Sequence, residues 1–169
     1  TSGISVYPFT PALLRRCAPV VLLLLVCPRQ ARTGEIPAPR PLTGIAGISA
    51  GELHTVAVGR DGTVWAWGWN GSGQVGGEAA QFSPSPMRMR GPGGRGFLAD
   101  MTAVAAGASH TVALRNDGTV WAWGNNESGQ LGDGTRTDTG MPVQVRGPGG
   151  EGYLTGVTAI AAGEAHTVA

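Results

Sequence analysis

Histidine occurs three times in this chain, at His54, His110 and His166, and each is 56 residues after the last. Sliding the sequence by that offset stacks LTGIAGISAGELHTVA from Leu42, LADMTAVAAGASHTVA from Leu98 and LTGVTAIAAGEAHTVA from Leu154 without a gap. RDGTVWAWG at Arg60 falls on NDGTVWAWG at Asn116, and RGPGG at Arg90 falls on RGPGG at Arg146. Roughly half of the paired positions in the two full units are identical, and a fixed period of this kind marks a repeat architecture. In such a chain one unit cannot bury its own apolar face and relies on its neighbour to cover it. The units span residues 45–100 and 101–156, and a third, truncated at 157–169, repeats the opening segment.

Within a unit the pattern is β. IAGIS and MTAVAA are short runs of small residues, followed by HTVAVGR and HTVALRN, which are rich in β-formers. Asp61-Gly62 and Asp117-Gly118 come next. Asp-Gly between two β-like runs predicts a hairpin, here of type I′, in which both central residues take positive φ. TVWAWG returns as the third strand, and alternation puts Trp65 with Trp67, and Trp121 with Trp123, on matching faces. Loops at Trp69–Ser85 and Asn125–Met141 follow. PMRMR and PVQVR suit an outer edge strand, where the donor lost at proline is tolerated.

Four short antiparallel strands, repeated, describe the blade of an all-β propeller. The chain would hold two full blades and the start of a third, residues 42–169 being a partial β-propeller. An indole can bury about 150–250 Å². Two per blade, pressed on the adjacent blade, would supply the core between sheets.

Residues 1–41 read differently. Arg15 and Arg16 precede an 11-residue apolar run, Cys17–Cys27. That is too short to span a membrane, which needs about 20 residues, but it fits a signal-peptide core of roughly 7–15. PAPRP at Pro37–Pro41 then reads as an extended linker. The expectation is an exported bacterial protein, secreted or held at the cell surface or in the periplasm; the alternatives are a lipoprotein signal, which LLVC at Leu24–Cys27 resembles although Val26 is bulky for one, and a wrongly started N-terminus. Its two cysteines, Cys17 and Cys27, both lie in this leader, so the repeats carry neither disulfides nor thiolate-bound zinc. Residues 45–169 hold seven arginines, no lysine and ten acids, which is not the basic face of a nucleic-acid binder.

AGASHTVAL from Ala106, DGTVWAWG from Asp117 and GNNESGQLGDGT from Gly124 resemble the repeat of the regulator of chromosome condensation family. The resemblance implies a propeller that is usually seven-bladed, monomeric when complete, in a longer protein. It also implies a spread of roles: nucleotide exchange on a small GTPase with docking on chromatin, interaction scaffolds, and a secreted bacterial β-lactamase inhibitor. The first unit departs from the pattern, with GQVGGEA at Gly73–Ala79 for GQLGDGT, and Trp69 at the position of Asn125.

A residue recurring once per unit serves packing, since catalysis needs an asymmetric set of base, nucleophile and orienter. His54, His110 and His166 are therefore read as structural, each bonding backbone within its own blade. The tryptophans and the Asp-Gly turns are read the same way. Asn125, Glu127, Asp133 and Asp138 match no calcium-loop spacing, and Ser72 and Ser128 have no identifiable base. Arg88, Arg90 and Arg146 keep an edge soluble or meet an acidic partner. No cofactor, metal or catalytic residue is expected. The reading is a scaffold that binds an unidentified protein or surface polymer through the loops that differ between units. Trp69, Phe82, Arg136 and Asp138 are its candidate contacts. Nucleotide exchange and inhibition of a secreted hydrolase are the alternatives.

Overall fold

The computed structural model of the chain describes residues 41–77 and 80–169. The apolar run and proline-rich segment of the leader, up to Arg40, lie outside the described residues, as do Glu78 and Ala79. Pro41–Ala169 forms one compact unit. Its first sheet takes β1 (Ile45–Ala50), β2 (His54–Gly59), β3 (Val64–Trp69) and β4 (Phe82–Arg88) in chain order. Its second takes β5 (Met101–Ala106), β6 (His110–Arg115), β7 (Val120–Gly124) and β8 (Thr139–Gln144), again in order. A two-stranded ribbon, β9 (Ala161–Ala162) with β10 (Thr167–Val168), opens a third. All pairings are antiparallel, so the described part is an incomplete propeller of four-stranded blades.

The sheets match residue for residue. His54 pairs with Gly68 and His110 with Gly124, and both first hairpins carry an irregularity at the same place, Ile45/Gly47 and Met101/Ala103. The Asp-Gly turns differ from the sequence expectation. Gly62 has φ 74° and Gly118 has φ 79°, but Asp61 and Asp117 keep negative φ. The bonds Gly62 N–H to the Gly59 carbonyl (3.0 Å) and Gly59 N–H to the Thr63 carbonyl (2.8 Å) close a three-residue loop whose third residue is left-handed. This is a type I turn with a glycine bulge rather than type I′. Asp61 takes another task, accepting from the Thr63 amide (3.1 Å) and hydroxyl (2.7 Å). A side chain at Gly62 would also come within 2.8 Å of the Asp100 nitrogen in the next sheet. The glycine thus serves turn and junction together.

The outer strands begin earlier than the prolines suggest. β4 starts at Phe82 because Phe82 pairs directly with Trp69, so Phe82 lies in the sheet and not in a loop. Pro84, Pro86 and Pro142 sit on these outermost strands, where their missing donors blunt the free edge.

Valine faces indole at the junction of the sheets. Val56, Val58, Val64 and Ala66 of the first sheet form one buried cluster with Met101, Ala113 and Trp123 of the second. The opposite face of the second sheet, with Val112, Leu114, Val120 and Ala122, packs on Val157, Ile160 and Ala162. Equivalent indoles therefore meet unequal surroundings. Trp123 is wholly buried and donates its indole N–H to the Gln74 carbonyl in the loop between β3 and β4 (3.0 Å). Trp67 holds the same place in the first sheet but is half-buried, because no earlier sheet covers it among the described residues. Trp65 and Trp121 instead donate to Thr63 (3.1 Å) and Thr119 (3.3 Å) of their own turns.

Candidate partner-binding rim

Two of the three repeated histidines, His54 and His110, join sheets, which corrects the expectation that each bonds backbone in its own blade; His166, in the opening ribbon of the third unit, is exposed. His54 Nε2 meets Thr111 Oγ1 at 2.9 Å, and His110 Nε2 meets Thr167 Oγ1 at 3.1 Å. Each threonine hydroxyl is already committed as a donor, Thr111 to the Gln74 carbonyl (2.9 Å) and Thr167 to the Gln130 carbonyl (2.7 Å). The histidine must then be the donor at Nε2, a neutral ring with its proton on that nitrogen. Burial is the main cause that lowers both rings to about 4, and the charge of the next histidine adds to it. For His54 the Ala108 backbone opposes the shift. Gly51 and Gly107 make room: a Cβ at either would fall against the ring of His54 or His110. A neutral ring locked between sheets, with its threonine spoken for, is a fastening and not a base.

Loops at one rim are fastened as well. In the second unit the Asn126 side chain accepts from the Leu131 amide (3.0 Å) and donates to Asp133 (3.1 Å) and Thr135 (3.0 Å). Asp138 accepts from the Asn126 amide (2.7 Å) and from the Asn125 side chain (3.3 Å). Burial alone would raise the Asp133 carboxyl, but bonds from Thr135 and Asn126 hold it below the usual carboxylate range. Among the described residues no group of three or more His, Cys, Asp or Glu could hold a metal ion. Asp138 is thus a clasp inside its loop. Arg136 lies exposed in the same segment.

The first unit keeps the inner bond of this clasp, Asn70 accepting from the Val75 amide (2.8 Å), and puts aromatic rings at its outer positions. Trp69 stands at the position of Asn125 and Phe82 at that of Asp138, and the two are partners across β3 and β4. Trp69 also donates its amide to the Leu53 carbonyl (2.8 Å), as Asn125 does to the Ser109 carbonyl (2.8 Å). Leu53, Trp69 and Phe82 therefore occupy one backbone neighbourhood, and in the next unit the same three places are Ser109, Asn125 and Asp138. All three apolar residues face solvent, at 63%, 39% and 57% exposure. Gly71, where the second unit has Glu127, leaves room for the ring: a Cβ there would come within 2.6 Å of the Trp69 indole nitrogen. Four coupled differences thus put exposed apolar residues where the outer half of the polar clasp lies in the second unit. Leu53 was missed by sequence reasoning because it directly precedes a strand repeated in both units rather than sitting in a long loop; comparing it with Ser109 would have found it.

The sequence pattern of the Regulator of chromosome condensation (RCC1) repeat matches residues 61–114 and 117–169, and a second pattern for the same repeat matches residues 45–74 and 101–130. The chain belongs to the RCC1 repeat family. It is similar to the probable E3 ubiquitin-protein ligase HERC6 of Homo sapiens, at 38% identity over 123 residues, covering 71% of this chain and 11% of that protein. It is similar to the ultraviolet-B receptor UVR8 of Arabidopsis thaliana, at 33% identity over 141 residues, 80% of this chain and 30% of the receptor. The fold superposes on Prp20p of Saccharomyces cerevisiae with a TM-score of 0.58 at 23% identity, over 73% of this chain and 30% of Prp20p. The chain thus spans less than a third of each of these three proteins. Within this RCC1 pair of repeats, strand pairing, turns and the histidine fastening hold constant, while the rim and the outer strands differ between units. No helix among the described residues is long and apolar enough to cross a membrane.

Proposed function

We propose that this chain is part of an exported RCC1-repeat scaffold that binds a partner protein and performs no catalysis of its own. The observation that carries the reading is the apolar patch of Leu53, Trp69 and Phe82 on an otherwise polar rim. Exposed aromatic rings on a rigid sheet suit a protein partner, because they bury large area at small entropic cost. Prp20p, whose structure is described together with its binding to Gsp1p and histones, supports partner binding as a use of this fold. His54 and His110, held between sheets, and Asp133 and Asp138, held inside their loop, support a structural use of these groups. The leader-like residues before Arg40 support export.

The second unit supplies a test that the fold already tolerates. Replacing Leu53→Ser, Trp69→Asn, Gly71→Glu and Phe82→Asp installs the polar version of the rim. Photo-cross-linking from position 82 of the unaltered protein is expected to trap a defined partner, and the fourfold variant to lose most of that capture with its circular dichroism unchanged. Equal capture by both proteins overturns the patch. Cell fractionation addresses export: the protein is expected outside the cytoplasm with its N-terminus processed, and retention in the cytoplasm overturns that part.

A further inference from the structure

At the far end of β4 from Phe82 lies a groove of about 790 Å³ between the outer strands of the two sheets. Its lining includes the half-buried Met87 and Met141, with Met89 buried in the core beneath them. Unbranched thioether side chains adapt to varied apolar shapes and recur on binding surfaces for that reason. Gly76, Gly77, Gly93 and Gly94 line it too, and the absence of side chains there keeps it open.

The other wall is cationic. Arg88 and Arg90 both stack on the Phe97 ring, at 4.4 Å and 5.4 Å from its centroid. Stacking orients a guanidinium while leaving its edge N–H groups free for a carboxylate. Among the described residues no carboxylate lies within ion-pair distance of either; the ion pairs found there belong to Arg115. Two oriented, solvent-exposed cations therefore stand side by side in a repeat region that is otherwise acidic, with Asp61 near enough to Arg88 to feel its charge but not to pair with it.

The groove is also particular to this junction. At the equivalent places of the second unit Met87 becomes Val143, Arg88 becomes Gln144 and Met89 becomes Val145, and Arg90 alone is kept, as Arg146. A feature needed only for stacking sheets would recur, as the valines and histidines do.

We propose that this groove binds an extended acidic segment of a partner protein, with carboxylates on Arg88 and Arg90 and an aliphatic side chain among the methionines. The two arginines are two residues apart, about 6–7 Å along an extended backbone, and so are alternate side chains of an extended ligand. Such a ligand turns one face to the arginine wall and the other to the methionine wall. This site is separate from the rim patch, and either can fail without the other.

The probe is a short fluorescein-labelled peptide of alternating Glu and Leu, titrated with the full chain and followed by anisotropy. Saturable binding is expected, weakening with added salt as exposed ion pairs do, and weaker by about tenfold or more in the variant R88Q. Met87→Val with Arg88→Gln, which copies the next junction, is expected to abolish binding with folding intact. A measurement on the unaltered chain needs no variant: with methyl-labelled methionine, the NMR signals of Met87 and Met141 are expected to move on adding peptide and that of Met101 to stay. Equal binding of a Lys-Leu peptide, movement of Met101 alone, no binding at all, or complete displacement by dodecanoate acting as a tighter ligand would each overturn the proposal, the last in favour of a small amphiphile.

Discussion

Trp123→Ala is expected to destabilise the chain by about 3–5 kcal/mol, whereas Trp67→Ala, at the same place in the preceding repeat, is expected to lose about 1 kcal/mol or less. The two indoles have the same strand position and the same neighbours in sequence. They differ only in what lies across from them. Trp123 is enclosed by Val56, Val58, Val64 and Ala66 of the first sheet and donates to the Gln74 carbonyl. Its removal opens a cavity that two sheets cannot collapse without parting, so transfer and cavity terms both count. Trp67 has water on one side already. Trp123→Phe separates the contributions: most of the packing is kept and the indole bond is lost. Because Thr111 also donates to Gln74, that carbonyl keeps a partner, and the phenylalanine variant is expected near the mild end. Urea denaturation of the three variants checks the order. Equal losses at positions 67 and 123 would mean that sheet-to-sheet burial is not what holds the array together.

Acid is expected to weaken the protein before ordinary carboxylates begin to titrate. His54 and His110 are lowered to about 4 from an ordinary 6.5, burial being the main cause. Between those values the unfolded chain takes up protons that the folded chain refuses, so each proton bound favours unfolding. The stabilising contribution is complete above pH 6.5 and is lost progressively as pH falls toward 4. It is on the order of 2 kcal/mol per ring once solvent screening is allowed for. Asp61 and Asp117 are held below the usual carboxylate range chiefly by the hydroxyls of Thr63 and Thr119, so their contribution survives to lower pH and does not blur this window. Thermal midpoints measured from pH 7 to 4.5 are expected to drop, and less so in H110Q, whose amide can still donate to Thr167 without titrating. A flat profile in the unaltered chain would refute the neutral, sheet-joining histidine.

Much of this architecture was legible from residue order alone. Alternation in TVWAWG placed the indoles on one face, and glycine after aspartate marked the hairpins. What stayed hidden was the partner of anything that reaches across a junction. His54 bonds Thr111, which is 57 residues on and not 56, so lining up the repeats sets the histidine beside its own copy and never beside its acceptor. The turn type was misread because Asp-Gly serves both a two-residue and a three-residue loop, and only the Gly59–Thr63 bond tells them apart. At the rim, the odd residues Trp69 and Phe82 were visible as departures from the pattern, but their pairing was not, since it depends on where β4 begins. Arg136 and Asp138 looked equally odd, yet Asp138 is spent on Asn126.

The fastening between sheets has a direction. Each sheet offers a ring nitrogen and a carbonyl forward, and the following sheet answers with a hydroxyl and, where Trp123 stands, an indole. A lineage can therefore lengthen or shorten such an array by unequal crossing-over of whole 56-residue segments, because every new seam presents the same fastening groups in the same register. A single codon gained between His54 and Gln74 has no such licence: it would shift the forward-facing groups against each other and break one seam outright. Heritable variation should accordingly gather at the rim and in the count of units, while the distance from histidine to glutamine stays frozen.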